Sequence, residues 1–322
     1  MKLAIKALLA TAVLLSAFWG WVQYRAQAHE SRAESSHPPQ GRILQIQGHR
    51  VHAVVSGEGP DLVLVHGASG NARDMTFSLA PRLARHFRVI AIDRPGLGYT
   101  DRINRSGATI ADQAGLLAAT ARELGADRPV VLGHSYGGAV ALAWAVHHPG
   151  TLSALVTLAA PSNPWESDLS TYYKILSHPV LGPLAIPLIT AFIPDARVKT
   201  EIAAIFTPDP VPDGYTDHVG AGLTLRRHSL RANALQRARL LPQIKALHTR
   251  YDRIRVPTEI VHGTADTTVG LTIHSEPLSK QINGARLTRL EGVGHMPHHA
   301  AEDAIVEAVR RAARRAGLHA GP

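Results

Sequence analysis

Residues 130–138, with the sequence VVLGHSYGG, join a short apolar run to a helical pattern through a Gly-x-Ser-x-Gly turn. A serine on a sharp turn from a strand into a helix has a strained backbone, and the flanking glycines let the two elements approach without side-chain collisions. The turn predicts that the Ser135 hydroxyl is exposed at the carboxyl end of a sheet. It also predicts that the Tyr136 amide lies at the start of a helix, where an unpaired N–H and the helix dipole can stabilise an oxyanion.

Short apolar runs recur on both sides of this turn and alternate with helical patterns. Runs typical of strands buried on both faces occupy residues 61–66, 88–93, 129–132, 152–159 and 257–262. Residues 43–47 and 49–55 predict a hairpin, and residues 110–124 and 138–147 predict helices. Helical connections of this length make right-handed parallel crossovers. The sequence therefore predicts an α/β fold with a mostly parallel, doubly wound sheet of about eight strands.

Residues 162–245 interrupt the alternation with prolines and with apolar side chains that include Trp165, Tyr172, Tyr173 and Phe192. A helical cap inserted over the strand ends explains this composition, and a long loop packed on itself is the alternative. We therefore predict a core in two parts, residues 42–161 and residues 246–318, with the cap between them.

Two further motifs accompany the serine turn. Residues 66–70, HGASG, follow the run at 61–66, and residues 93–100, DRPGLGYT, follow the run at 88–93. In this order the three motifs resemble those of the α/β-hydrolase family. The resemblance covers the chain from about Ile43 to Arg315. The resemblance implies that the Ala68 amide is the second oxyanion donor beside that of Tyr136. It also implies that residues 93–100 form a structural turn more than a catalytic one.

A serine hydroxyl is a poor nucleophile at neutral pH, so a base must lie within hydrogen-bond reach and a third group must orient that base. The family resemblance implies the order serine, acid, histidine. Asp266 follows the run at 257–262, and His295 lies in a glycine-rich loop after residues 286–290. These two residues match the acid and base positions for Ser135. The nearest alternative bases are His262, His298 and His299, and Asp252 and Asp303 are interpreted as surface carboxylates.

Cofactors and metals are not expected. The chain has no cysteine, which excludes a disulfide scaffold, a thiolate zinc site, an iron–sulfur cluster and a cysteine nucleophile. Histidine clusters such as His295, His298 and His299 can imitate a metal site, but no carboxylate or cysteine has ligand spacing around them in the sequence.

The identity of the nucleophile narrows the reaction. Relatives that open epoxides or cleave carbon–halogen bonds have an aspartate at the position of Ser135 in this turn. Ser135 therefore disfavours epoxide hydrolase and dehalogenase activity. We predict a serine hydrolase that acts through an acyl-enzyme on a hydrophobic carboxylic ester or related acyl compound, since the cap is rich in apolar side chains. The alternatives are an acyltransferase, a carbon–carbon bond hydrolase with the same triad, and a non-catalytic hydrolase-like binding protein.

The chain is basic, with 34 Lys and Arg against 25 Asp and Glu and a formal net charge of +9. The densest basic cluster lies in an Ala-rich terminal helix, where it complements the helix dipole. No nucleic-acid module accompanies this charge, so no nucleic-acid partner is predicted. The oligomeric state is left open.

The first 28 residues form a hydrophobic segment. Lys2 and Lys6 precede an uncharged run, and Trp19, Trp21 and Tyr24 gather at its far end. This pattern favours a membrane anchor with an aromatic belt, and the positive-inside rule puts the catalytic domain outside the cytoplasm. The alternative is a signal peptide cleaved near residue 28, which gives a secreted or periplasmic protein. Residues 29–41 are polar and are predicted to be a tether.

Overall fold

A computed structural model describes residues 1–319 of the chain. Within these residues, eight strands form one sheet in the order β1-β2-β4-β3-β5-β6-β7-β8. The strands are β1 Arg42–Ile46, β2 His49–Ser56, β3 Asp61–Val65, β4 Arg88–Ile92, β5 Val130–His134, β6 Ala154–Leu158, β7 Thr258–Gly263 and β8 Arg286–Leu290. β2 is antiparallel to both β1 and β4, and the other neighbouring pairs are parallel. The predicted fold class is confirmed.

Helices connect the strands. They are α1 Lys2–Ser36, α2 Ala72–Thr76, α3 Leu79–Leu83, α4 Ile110–Glu123, α5 Tyr136–His147, α6 Thr171–Ser177, α7 Leu181–Phe192, α8 Asp195–Phe206, α9 Tyr215–Val219, α10 Ala221–Thr224, α11 Arg227–Leu247, α12 Ser275–Gln281, α13 Pro297–Ala300 and α14 Glu302–Arg315. Short 3₁₀ helices occupy Pro149–Thr151 and His248–Arg253. α5 begins at Tyr136, directly after the serine turn, and not at residue 138 as its apolar pattern predicts.

The sheet is buried on both faces because its central strands are apolar at most positions. Along β3, Val63 and Val65 pack into one core with α4 and α5, whereas Leu62 and Leu64 pack into the other core with α3 and α14. Side chains alternate between the two faces of a strand, so a continuous apolar run serves both layers. This arrangement places the carboxyl ends of β3, β5 and β7 at one edge of the molecule.

The segment between β6 and β7 contains α6 to α11, which we call the inserted helices. The last of them ends at Leu247, close to the predicted boundary at residue 245. Ile186 of α7 packs against Leu230 and Ala234 of α11, so these helices have a small apolar core of their own.

The N-terminal helix differs from the predicted organisation. α1 continues to Ser36, so most of the expected tether at 29–41 is helical. Residues 29–36 contain no proline or glycine, and the carboxylates of two of them pair with the start of α11. Glu30 Oε2 lies 2.7 Å from Arg227 Nη2, and Glu34 Oε1 lies 2.9 Å from Arg226 Nη1. The helix ends just before Pro38 and Pro39, which cannot continue it.

α1 is long and apolar enough to cross a membrane, and none of its most apolar 18-residue window is buried. Such a helix near the N-terminus fits either a membrane span or a signal sequence.

Candidate active site

The serine turn has the strained geometry that its glycines suggest. Ser135 has φ 50° and ψ −121°, between β5 and α5. A side chain at Gly137 would collide with the carbonyl oxygens of Val65 and His66, and one at Gly133 would collide with the carbonyl of Gly137. Only glycine therefore allows β3, β5 and α5 to approach so closely here.

The structure brings Ser135, Asp266 and His295 together at the carboxyl edge of the sheet. His295 Nε2 lies 3.0 Å from Ser135 Oγ, and His295 Nδ1 lies 2.8 Å from Asp266 Oδ2. A carboxylate only accepts hydrogen bonds, so Nδ1 carries the proton and Nε2 is free to accept from the serine hydroxyl. Asp266 and His295 are buried, while Ser135 is partly exposed. This arrangement can deprotonate the hydroxyl as it attacks an electrophile.

The carboxylate of Asp266 is held in place from several directions. Its Oδ1 accepts the backbone N–H groups of Thr268 and Val269 at 2.8 and 2.9 Å. Its Oδ2 accepts from His295 and, at 3.1 Å, from His262 Nε2. Burial by itself raises the pKa of Asp266, but the hydrogen bonds from His262, His295 and Val269 outweigh burial and hold that pKa well below its usual range. The group is therefore a fixed anion at neutral pH.

His262, a rival for the base on sequence grounds, contacts the acid and not the serine. Its Nε2 also lies 2.8 Å from the Val269 carbonyl oxygen, and its Nδ1 lies 2.6 Å from Ser275 Oγ. Both partners of Nε2 are acceptors, so Nε2 is the donor and Nδ1 accepts from the Ser275 hydroxyl. His262 can therefore orient Asp266.

The two residues proposed to supply oxyanion donors belong to the start of α5 and to the loop after β3. Tyr136 is the first residue of α5, so its N–H belongs to the first helical turn, where backbone amides have no intrahelical partner. Ala68 follows β3 by way of Gly67. A Cβ built on Gly67 would lie 3.3 Å from Ser135 Cβ, so this loop passes directly beside the serine.

Arg94 fixes the start of that loop, a role that the sequence did not reveal. Its side chain is fully buried and donates to the carbonyl oxygens of His66 and Gly67 at 2.9 and 2.8 Å. Its remaining donors reach the neutral amide oxygens of Gln113 and Gln236, both at 2.9 Å. Burial lowers the pKa of Arg94 to about 10, so it remains a cation at neutral pH.

The inserted helices hold the other end of the loop. Ser69 has φ 56°, a left-handed conformation, and its N–H donates to Asn233 Oδ1 at 3.0 Å. Asn233 Nδ2 donates back to Ser69 Oγ at 2.8 Å, and Thr224 Oγ1 donates to the Ser69 carbonyl at 2.7 Å. α10 and α11 thus set the conformation of the loop that carries Ala68.

A second polar cluster lies next to the candidate site. Asp74 Oδ1 accepts hydrogen bonds from His299 Nε2 and Tyr215 Oη, both at 2.9 Å, and His298 Nε2 lies 3.3 Å from the same carboxylate. The ring of His298 is 4.2 Å from that of His134, whose Nε2 donates to the His295 carbonyl at 2.9 Å. His298 and His299, two of the rival bases, therefore face Asp74.

Asp74, His298 and His299 could hold a metal ion, since one ligand atom from each lies within 4.8 Å of the others. The sequence-based argument against a metal missed this carboxylate, which lies 224 residues from His298. Metal-bound histidines usually donate their second ring N–H to an acceptor. Among the described residues, the Nδ1 atoms of His298 and His299 have no such partner. Burial lowers the pKa of His298 to about 4, so its ring is neutral at neutral pH and can donate to Asp74.

A family model described as the alpha/beta hydrolase family matches residues 62–308, which include the serine turn at the end of β5. The chain belongs to the alpha/beta hydrolase family. α1 lies outside the matched residues.

The chain is also similar to individual proteins and solved structures. An uncharacterized protein of Mycobacterium tuberculosis is 26% identical over 293 residues, which cover 85% of this chain and 81% of the relative. A putative non-heme haloperoxidase of Mycobacterium phage D29 is 30% identical over 267 residues, covering 78% of this chain and 85% of the relative. A solved alpha/beta hydrolase fold protein from Burkholderia ambifaria has a TM-score of 0.69 and 27% identity, covering 84% of this chain and 96% of that protein. Family membership supports hydrolytic chemistry.

Proposed function

We propose that the chain is a serine hydrolase that cleaves a hydrophobic carboxylic ester, or a related acyl compound, through an acyl-enzyme. The observation that carries the proposal is the continuous contact from Asp266 Oδ2 to His295 Nδ1, 2.8 Å, and from His295 Nε2 to Ser135 Oγ, 3.0 Å. Side chains separated by 131 and 29 residues in the sequence have little reason to form this chain of contacts at a strained serine unless they act together.

In the proposed reaction, His295 Nε2 accepts the hydroxyl proton as Ser135 Oγ attacks the acyl carbonyl carbon. Asp266 keeps the proton on Nδ1 and stabilises the imidazolium that forms. The tetrahedral intermediate collapses, the bond to the alcohol breaks, and His295 returns its proton to the leaving oxygen. Water then attacks the acyl-enzyme by the same route, which releases the carboxylic acid and restores Ser135.

The negative charge of the intermediate falls on the former carbonyl oxygen. We propose that the Ala68 and Tyr136 amides donate to it, with each donor contributing about 3 kcal/mol to lowering the barrier. Arg94 and Asn233 support this role because they fix the two ends of the loop that carries Ala68. Such preorganised donors need no rearrangement when the charge develops.

We also propose that α1 anchors the protein in a membrane through its N-terminal half. Lys2 and Lys6 precede the apolar run, and Trp19, Trp21 and Tyr24 gather at its far end. The positive-inside rule then keeps the amino terminus in the cytoplasm and the hydrolase domain on the other side. Packing of Val22 and Ala26 against Ala191 of α7 supports an uncleaved helix, since cleavage near residue 28 would remove two residues that are buried against the domain.

A panel of p-nitrophenyl esters of graded chain length tests the proposed reaction on the full chain. We expect turnover to rise with acyl length and to fall by at least about 10³-fold in Ser135→Ala. Ser106→Ala, which changes an exposed serine far along the chain from the elbow, is the matched control and should retain full activity. Equal rates for Ser135→Ala and wild type would overturn the proposal.

A further inference from the structure

Exposed apolar side chains are concentrated in one part of the surface. Outside α1, most of the large apolar side chains that are exposed within residues 1–319 belong to α6, α7, α8 or the turn between α6 and α7: Tyr172, Ile175, Val180, Leu181, Leu184, Leu188, Phe192 and Ile205. Scattered exposed apolar residues are ordinary, but a cluster of this kind marks an interaction surface.

The centre of the cluster is one face of α7. Leu181, Leu184, Leu188 and Phe192 recur at spacings of three and four residues and are all exposed, so they form a stripe along the helix. The opposite face is buried, for example at Ile186. α7 has 12 residues and no charged side chain. Its length of about 18 Å is too short to cross a bilayer, but an apolar helix of this size suits an interfacial position.

The stripe is continuous with the apolar part of α1. The ring of Phe192 lies 5.2 Å from that of Trp21, and Ala191 packs with Val22 and Ala26 of α1. The Arg25 guanidinium lies 5.0 Å from the Phe192 ring centroid, so a cation flanks this junction. α7 therefore meets α1 at the level of the aromatic residues that end its apolar run.

We propose that the exposed stripe of α7, formed by Leu181, Leu184, Leu188 and Phe192, docks on the surface of the bilayer that α1 enters. Three observations favour lipid over another protein as the occupant. None of the most apolar 18-residue window of α1 is buried in the described chain. The stripe joins that run through Trp21, and Arg25 stands where the anionic headgroups of lipids would lie.

Docking would remove the leucine side chains of the stripe from water, which favours binding. The proposal rests on the anchoring by α1 proposed above, which would confine the domain to the membrane surface, so α7 needs no large affinity of its own. The proposal concerns binding only, and it holds whether or not Ser135 is a nucleophile.

Site-specific fluorescence quenching in vesicles tests the docking of α7. The chain has no cysteine, so a single introduced cysteine can be labelled without background. Full-length Leu184→Cys and Leu188→Cys variants carry an NBD fluorophore and are reconstituted in phosphatidylcholine–phosphatidylglycerol vesicles that contain nitroxide-labelled lipid. Ile43→Cys and Ile273→Cys are matched controls, because these residues are 44% and 46% exposed, against 51% for Leu184 and 37% for Leu188.

We expect the fluorophores at 184 and 188 to be quenched by lipid nitroxide at least about twofold more than those at 43 and 273. The quenching should persist when the sample is diluted to an average of less than one chain per vesicle. Equal quenching at all four positions would overturn the proposal. Quenching that disappears on dilution would assign the stripe to a second copy of the chain and would also overturn it. Two labelled positions keep the test decisive if one variant does not fold.

Discussion

His262 Nε2 lies 3.1 Å from Asp266 Oδ2, the same carboxylate oxygen that His295 Nδ1 contacts at 2.8 Å. The acid of the proposed triad is therefore held by a second imidazole, whose own tautomer is set by the Ser275 hydroxyl and the Val269 carbonyl. This arrangement makes His262 a positioning residue: it orients Asp266, which orients His295.

Replacing His262 should slow turnover without weakening substrate binding. In His262→Phe the Asp266 carboxylate loses a buried hydrogen bond, which is worth about 1.5 kcal/mol or more for a charged acceptor. We expect kcat to fall about tenfold while KM changes little, because the serine and the pocket are untouched. His262→Gln keeps an N–H donor and should recover part of the loss. A change confined to KM would contradict the assigned role.

Arg94 should be required for the stability of the loop that carries Ala68. Arg94→Lys leaves too few donors, with the wrong geometry, for the acceptors on His66, Gly67, Gln113 and Gln236. We expect the free energy of unfolding, measured by urea titration, to fall by about 2 to 4 kcal/mol. Arg122→Lys, at an exposed position of α4, should change it by less than about 0.5 kcal/mol. Equal stability of the two variants would show that the Arg94 hydrogen bonds are not needed.

His66 should make the fold sensitive to acid. Burial and the nearby Arg94 charge lower the pKa of His66 to about 4, and its Nε2 accepts the Arg94 backbone N–H at 2.9 Å. The unfolded chain binds a proton at this residue below about pH 6.5 and the folded chain does not. The free energy of unfolding should therefore fall with pH between 6.5 and 4, by up to about 1.4 kcal/mol per pH unit from this residue.

Urea titrations at several pH values measure this dependence. His66→Gln keeps a donor and an acceptor but cannot titrate. Between pH 6.5 and 4, its unfolding free energy should therefore change less steeply with pH than that of wild type, by up to about 1.4 kcal/mol per pH unit, the contribution of one proton. At pH 8 the His66 ring is neutral in both the folded and the unfolded chain. The difference in unfolding free energy at that pH therefore gives the effect of the substitution on packing alone. Identical slopes would mean that His66 is not held neutral.

Motifs that follow a buried strand could be predicted from the sequence. Ser135, Asp266 and His295 each lie within a few residues of the end of a predicted strand, and parallel strands bring their carboxyl ends to one edge. Register and loop length then restrict where each side chain lies, so the convergence of these three side chains could be expected before any coordinates.

Contacts between elements that lie far apart in the sequence could not be predicted in this way. Asn233 reaches Ser69 across 164 residues, and Asp74 meets His298 across 224 residues, both through packing that no local pattern specifies. The helix at residues 29–36 was missed because its composition is polar. It is held by pairs such as Glu30 with Arg227, 197 residues away. Sequence patterns identify short-range geometry, whereas these contacts depend on the docking of whole elements.

The most direct test of the proposed nucleophile is mass spectrometry of the full chain after reaction with a fluorophosphonate, which phosphonylates an activated serine. We predict one adduct per wild-type chain, located at Ser135, and no adduct in Ser135→Ala. Labelling of His295→Gln should be slower, because the Ser135 hydroxyl then lacks a base. A folded wild-type chain that stays unlabelled, or labelling that survives in Ser135→Ala, would contradict the account.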